Sequence, residues 1–252
     1  MAATQWGIEN MARKSKRNKL IPFILLALLA ACLMFLLTMP VFQVGQIDIT
    51  GIHKATEDEL IQLAGLGGGC NIFSFRGSTA EKAMETHPYV KSAKLTKHYP
   101  NQVSIEITER KPRAYVEFNN MNAYLMIDET GMVMEYTTFA SEQMPVIVGL
   151  SFSDFVIGQP LQTDNNKAFE DVVRLSNMFA KYEMTDVIHV FISDEKDIHL
   201  YIHNVDVIFG SIENADLKIR IAKAAIEGLP EGSKGFLTID SERGKAVFEH
   251  LK

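Results

Sequence analysis

Cysteine is nearly missing from this chain of 252 residues: Cys32 and Cys70 are the only two. Cys32 sits inside an apolar run, so no intramolecular disulfide can brace the part that follows, whatever its redox surroundings. Positive charge is also scarce outside one short stretch. The net charge is −6, and removing the N-terminal arm leaves 20 basic against 30 acidic side chains, a net of −10. An acidic body of that kind repels a phosphate backbone, which sets nucleic acid aside as a partner. A third absence is local: from Leu20 to Pro40, LIPFILLALLAACLMFLLTMP, there is no charged side chain and no amide.

That run organises the rest. About 20 residues at 1.5 Å each reach about 30 Å, the thickness of a bilayer's hydrocarbon core. Residues 20–40 therefore read as a membrane-spanning helix, with a proline near each end where a break is tolerated. Ahead of it stand Arg13, Lys14, Lys16, Arg17 and Lys19, with Glu9 the one acid upstream. By the positive-inside rule residues 1–19 form a cytoplasmic tail and the chain beyond Pro40 lies outside. Two other readings exist. A cleaved signal peptide has a shorter apolar region and a small-residue cleavage site, whereas this one is longer and ends in Thr38, Met39 and Pro40. Leu29-Ala30-Ala31-Cys32 is similar to a lipobox, but Leu33-Met34-Phe35-Leu36-Leu37 continues the apolar run past the cysteine. An uncleaved anchor accounts for the whole stretch.

The next part reads strand, helix, helix, strand, strand. Val44 to Thr50 alternates, with Ile47 and Ile49 on one face, and Gly51 closes it. Thr56-Glu57-Asp58-Glu59 is a capping box that starts a short helix ended by Gly65; Ser78-Thr79-Ala80-Glu81 is a second, whose helix must finish by His87 because Pro88 follows. Val90 to Tyr99 is extended, with Ala93, Leu95 and Tyr99 on one face. After a turn at Pro100-Asn101, Val103, Ile105 and Ile107 alternate with Ser104, Glu106 and Thr108. Two helices on one face of a small three-stranded sheet would bury these apolar positions together.

These residues carry a resemblance. The order Ile47-x-Ile49-x-Gly51, Thr56-x-x-Glu59-Leu60, Gly65-Leu66, Asn71-Ile72-Phe73, His87-Pro88-Tyr89-Val90, Tyr99-Pro100-Asn101-x-Val103-x-Ile105-x-Ile107-x-Glu109-Arg110-x-Pro112 and Ala114-Tyr115 resembles the POTRA domain of the bacterial division proteins FtsQ and DivIB. POTRA domains of outer-membrane assembly and secretion proteins resemble it less, because those lack an N-terminal anchor and end in a barrel.

After Pro112 the pattern turns to strands. Ala114, Val116 and Phe118 alternate with Tyr115 and Glu117, Asn119-Asn120 turns the chain, and Ala123 to Ile127 leads through Asp128-Glu129-Thr130-Gly131 into Met132 to Tyr136, a meander. Pro145 to Leu150 is a further strand. Asn166 to Tyr182 is helical, with Phe169, Val172, Val173, Phe179 and Ala180 on one face. Ile188 to Ile192, Ile198 to Ile202 and Val205 to Phe209 read as successive antiparallel strands; a helix from Ala215 to Glu227 and strands near Phe236 to Ile239 and Lys245 to Glu249 complete the chain. The resemblance implies that this is the β-domain of the family, on the looser match of Tyr124-Leu125-x-Ile127-Asp128-x-x-Gly131-x-Val133, Phe209-Gly210, Lys218 and Ile239-Asp240. The expected fold is thus α+β: a transmembrane helix at 20–40, a POTRA domain (β-α-α-β-β) at 41–112, and at 113–252 a mostly antiparallel β-domain with two flanking helices.

No catalytic, cofactor or metal site follows from these residues. Gly65-Leu66-Gly67-Gly68-Gly69 follows a helix instead of a strand, so it is a cap and loop and not a dinucleotide fingerprint. His199, Tyr201 and His203 share a strand face, but the two histidines are about 13 Å apart at about 3.3 Å per residue, too far to share one metal, and His189 on the neighbouring strand is a weak third ligand. Asp128-Glu129 belongs to a hairpin turn. His87 and His98 beside Ser78, Ser92 or Ser104 form no known nucleophile signature.

The far end holds the candidate site. A strand at Lys245 to Glu249, close to the C-terminus, is expected at the edge of its sheet, with unpaired backbone donors and acceptors. The resemblance implies that the matching strand accepts a partner by strand addition. Gly244-x-Ala246-Val247 fits the family pattern, so Gly244, Lys245, Ala246, Val247, Phe248 and Glu249 are the expected partner-binding residues. Ser241-Glu242 stands where Leu-Arg is frequent, and no tryptophan follows the valine. The implied function is a non-enzymatic scaffold of the divisome that binds FtsB (or DivIC) and FtsL, coiled-coil proteins of the same membrane, outside the cytoplasmic membrane at the septum. Two other classes stand beside it. A membrane-anchored or lipidated envelope enzyme would need a pocket of convergent titratable groups, and a POTRA-type chaperone or secretion component would bind strands at the POTRA edge.

Overall fold

The computed structural model describes residues 21–118 and 123–251, and the chain divides into two compact units. The first takes Met1–Ile52, Thr56–Met84 and Ser92–Ile107; the second takes His53–Ala55, Glu85–Lys91 and Thr108–Lys252.

In the first unit residues 21–37 are helical (α1), and every side chain from 21 to 38 is exposed. The described helix is about 26 Å long at 1.5 Å per residue. Among the described residues no helix is long and apolar enough to cross a membrane. Leu20 and the basic residues Arg13, Lys14, Lys16, Arg17 and Lys19 lie outside the described residues. At its other end α1 stops before Pro40, because the proline has no backbone N–H to continue the ladder. The Thr38 hydroxyl donates to the Phe35 carbonyl at 2.8 Å, and Pro40–Phe42 forms a single 3-10 turn.

There follow β1 (Gln46–Thr50), α2 (Glu57–Leu63), α3 (Gly77–Met84), β2 (Val90–His98) and β3 (Gln102–Glu109), the expected β-α-α-β-β order. The sheet order is β1-β3-β2, with β1 parallel to β3 and Ile47 and Ile49 opposite Val103 and Ile105. Gly51 lets the chain leave β1: its φ is +83°, and a Cβ there would stand 2.0 Å from the Ile107 carbonyl oxygen. The Thr56–Glu59 capping box forms in both directions. The second does not. α3 begins at Gly77, two residues before the start such a cap would give, which places Ser78 inside the helix, and the Glu81 carboxylate accepts from the Leu95 backbone N–H at 2.8 Å instead. Tyr99 does not share the covered face of β2 but is exposed. The half-buried place beside Ala93 and Leu95 goes to Lys97, whose ammonium donates to the carbonyls of Ile72 (2.6 Å) and Phe75 (2.7 Å) and lies 3.8 Å above the Phe75 ring.

The second unit is a nine-stranded sheet with two helices. Its strands are β4 (Pro112–Glu117), β5 (Tyr124–Asp128), β6 (Val133–Thr137), β7 (Val146–Val148), β8 (Val187–Asp194), β9 (Asp197–Ile202), β10 (Val205–Gly210), β11 (Gly235–Asp240) and β12 (Lys245–His250), in the order β12-β11-β10-β9-β8-β7-β4-β5-β6. The pairs β4/β7, β7/β8 and β10/β11 are parallel and the rest antiparallel. A parallel pair needs a crossover, and two of these crossovers are the helices α4 (Asn166–Lys181) and α5 (Ala215–Glu227). α4 packs on β4 and β8, α5 on β11 and β12, and the helices touch each other, so both cover one face. The turn expected at Asn119-Asn120 lies outside the described residues.

α4 starts where the Asn165 side chain accepts from the Ala168 N–H at 3.1 Å. It buries Phe169, Val172, Val173, Leu175, Met178 and Phe179, each worth about 1.5–3 kcal/mol of transfer out of water. Ala180, expected on that face, is exposed, and the stripe runs through Leu175 and Met178. Lys181 Nζ (2.9 Å) and the Tyr182 hydroxyl (2.6 Å) both reach Asp216 in the first turn of α5, where a carboxylate also suits the helix dipole. Lys218 is buried and donates to the carbonyls of Phe209 (3.1 Å) and Ser211 (2.8 Å), closing the β10–α5 loop; burial lowers its pKa, with Glu213 opposing.

Candidate partner-binding edge

Asp240 closes β11 with a turn of its own making. Its Oδ1 accepts from the backbone N–H groups of Glu242 (3.1 Å) and Arg243 (3.0 Å), and Gly244, at φ +64°, sends the chain back as β12. Among the described residues β12 has β11 as its one neighbour in the sheet, in a register from Asp240 opposite Lys245 to Gly235 opposite His250.

The phase of this ladder decides what the edge offers. Leu251 N–H donates to the Lys234 carbonyl at 3.0 Å. Bonded and non-bonded pairs alternate in an antiparallel ladder, so Lys245, Val247 and Glu249 turn their backbone groups toward β11. Ala246, Phe248 and His250 turn theirs outward. The side chains follow the pleat: Ala246 and Phe248 are half-buried against the core, while Lys245, Val247 and Glu249 stand exposed on the face that carries no helix. An incoming strand would meet three outward N–H and C=O pairs flanked by one basic and one acidic side chain.

On the helix-free face a row crosses the sheet through Val148, Phe191, His199, Ile208, Thr238 and Val247, each opposite the next. At its centre His199 faces two carboxylates, Asp206 Oδ1 at 2.8 Å from Nδ1 and Asp197 Oδ1 at 3.2 Å from Nε2. Burial acts to lower the His199 pKa, but the bond and charge of Asp206 outweigh it and hold the imidazole above its ordinary value. This pairing occupies both ring nitrogens. His203 is not on the strand face with His199 and Tyr201; it sits in the β9–β10 turn at φ +53°. Among the described residues no group of three or more His, Cys, Asp or Glu side chains is placed to hold a metal ion.

Other titratable groups of this unit serve the backbone. Glu109 Oε1 accepts from three successive N–H groups, His53 (2.8 Å), Lys54 (2.8 Å) and Ala55 (2.9 Å). Asp128, 1% exposed, accepts from Arg110 Nη1 (2.7 Å), the Thr130 hydroxyl (2.7 Å) and the N–H groups of Thr130 (2.8 Å) and Met132 (3.0 Å). Burial raises each pKa, yet the donors prevail and both carboxyls are held below their ordinary values. Tyr89 donates to Glu135 and Lys91 to Glu129, and burial with the Glu135 bond pushes the Tyr89 phenol up.

Residues 42–110 match the family model of the POTRA domain, FtsQ-type. The chain is similar to the cell division protein DivIB of Bacillus subtilis, 26% identical over 231 residues that cover 90% of this chain and 83% of that one. With the DivIB of Clostridium botulinum it shares 25% identity over 244 residues, 94% of this chain and 93% of the relative. The cell division protein FtsQ of Myxococcus fulvus is 29% identical over 120 residues, 48% of this chain and 42% of that protein. The chain thus carries an FtsQ-type POTRA match at 42–110 and is similar to FtsQ and DivIB cell division proteins over most of its length.

Several of the FtsQ/DivIB motif residues now have physical roles. Glu109 and Arg110 hold the 53–55 segment and Asp128, Gly51 admits the Ile107 carbonyl, and Lys218 closes a loop. Of the residues expected at the partner edge, Lys245 to Glu249 lie in β12 and Gly244 in the turn before it. His250, not among them, also belongs to the outward set. Its place follows from the bonded phase of the ladder, which no residue pattern records.

Proposed function

We propose that this chain is a single-pass, non-enzymatic scaffold of the divisome, which binds FtsB (or DivIC) and FtsL outside the cytoplasmic membrane during septum formation. The observation that carries this reading is the outer side of β12, uncovered among the described residues, at the end of a sheet in a chain similar to FtsQ and DivIB proteins. Main-chain pairing gives such an edge affinity, and the alternating side chains give it selectivity. Membrane anchoring is supported by α1, whose apolar side chains are all exposed (Phe23 at 72%, Leu29 at 66%), since bare apolar surface of that extent needs lipid or protein around it. The basic residues Arg13 to Lys19 favour a cytoplasmic N-terminus. In this reading residues 41–112 act as the membrane-proximal POTRA domain and 113–252 as the partner-binding β-domain. Anchoring in one membrane raises the effective concentration of each component toward the others.

The test is co-purification of the full-length protein with its own FtsB/DivIC-type and FtsL-type proteins in detergent, beside Ala246→Pro. That change removes an outward donor and leaves the bonds to β11 in place, so partner recovery should fall about tenfold, the effect of about 1.4 kcal/mol, with an unchanged unfolding midpoint. Full recovery by Ala246→Pro would sink the edge assignment. If the unmodified protein recovers neither partner, the scaffold reading itself fails.

A further inference from the structure

The first unit carries an aromatic cluster at the end of α1 that neither the POTRA fold nor the β12 edge employs. Phe73 lies between Phe42, edge-on with ring centres 5.2 Å apart, and Tyr99, stacked at 5.2 Å. Phe73 is 45% and Tyr99 62% exposed, and Val41 beside them is 53% exposed. Two stacked, largely exposed rings resting on a half-buried third are costly in water unless something covers them.

Their position says what does. Asn71 Nδ2 donates to the Leu37 carbonyl at 2.7 Å, satisfying an orphan acceptor of the last turn of α1. The same Asn71 accepts the Phe73 N–H through Oδ1 at 2.9 Å, which holds the Phe73 backbone within about 7 Å, two residues' reach, of that contact. Phe42 is tied to this loop by Ile72 N–H to the Phe42 carbonyl (2.8 Å) and Val44 N–H to the Cys70 carbonyl (2.8 Å). Lys97 fastens the loop from the other side through Ile72 and Phe75. The cluster is therefore locked to the point where the apolar helix ends, the level at which a spanning helix meets the headgroups. Aromatic rings favour that level, and the Tyr99 hydroxyl can remain hydrated there while its ring is covered.

We propose that Phe42, Phe73 and Tyr99 form a foot buried in the headgroup–acyl boundary of the bilayer, which holds the first unit against the membrane surface. The occupant of the patch is lipid, taken up by burial of rings and not by charge, so zwitterionic lipid suffices. This inference rests on the anchored reading of α1.

The experiment uses the full chain in phosphatidylcholine vesicles. Trp6, the single tryptophan, is replaced by Phe and a reporter is introduced as Tyr99→Trp, which keeps the stacked ring. The reporter should be quenched about threefold more by lipids labelled near the headgroup than by aqueous acrylamide. Adding Phe42→Ser and Phe73→Ser should reverse that preference while circular dichroism stays unchanged. A chain that floats with the vesicles but whose reporter responds to acrylamide alone overturns the foot and leaves the anchor standing. A chain that does not float with vesicles overturns both.

Discussion

Glu109 ends β3 with one carboxylate oxygen shared by three consecutive backbone N–H groups. A carboxylate in such a nest replaces the water those donors would otherwise need, and the loop 53–55 is held by it. Glu109→Ala should cost about 1–3 kcal/mol at neutral pH, because it leaves three donors without the acceptor. Urea unfolding of the detergent-solubilised protein measures it. The pH dependence has a definite sign. A carboxyl held below its ordinary value of 4.5 contributes stability that is fully present above that value and is lost as pH falls through the depressed one. The unmodified protein should lose stability below about pH 4.5, and the variant should lose less over the same window. Equal acid sensitivity would show that the Glu109 charge does not hold the loop. From sequence, Glu109 is one acid in an alternating strand; its value lies in partners more than fifty residues away.

At the scale of elements, β12 depends on a glycine that sequence presents as punctuation. Gly235 starts β11, and a Cβ added there would stand 2.0 Å from the Glu249 carbonyl oxygen. Gly235→Ala should push the two strands apart at that end and cost about 1–3 kcal/mol. Hydrogen exchange should then lose protection at Val247 and Glu249, which bond to β11, while α4 keeps its own. If protection at both amides survives, the close approach is not what holds β12. Elements with a strong local signal came out as read: the Thr56 capping box, the alternation of β3 and the helix Ala215–Glu227, and in α4 the stripe through Phe169, Val172, Val173 and Phe179 though not Ala180. Where tertiary partners compete, local patterns were overridden. Glu81 bonds Leu95 across the first unit instead of capping α3, and Lys97 takes the half-buried place beside Leu95 because two carbonyls and the Phe75 ring receive its ammonium.

For the molecule as a whole, stability comes from burial and hydrogen bonding without a covalent brace. Cys32 and Cys70 are both free. Adding a reductant should therefore leave the thermal midpoint unchanged within about 1 °C, since no loop-closing bond exists to be removed. A fall of several degrees would mean that an intermolecular disulfide contributes. The sequence by itself determined the apolar helix, the acidic body after it, the β-α-α-β-β order and the helices and strands of the second unit, because helix and strand periodicities and caps are short-range properties of the chain. The edge position of the last strand was expected from sequence, but only the tertiary structure decided that the sheet runs β12-β11-β10-β9-β8-β7-β4-β5-β6 and that Ala246, Phe248 and His250 are the residues whose backbone groups face outward. Strand order and ladder phase are set by pairing between distant segments, and the same alternating pattern fits either phase until one long-range hydrogen bond, here Leu251 to Lys234, selects it.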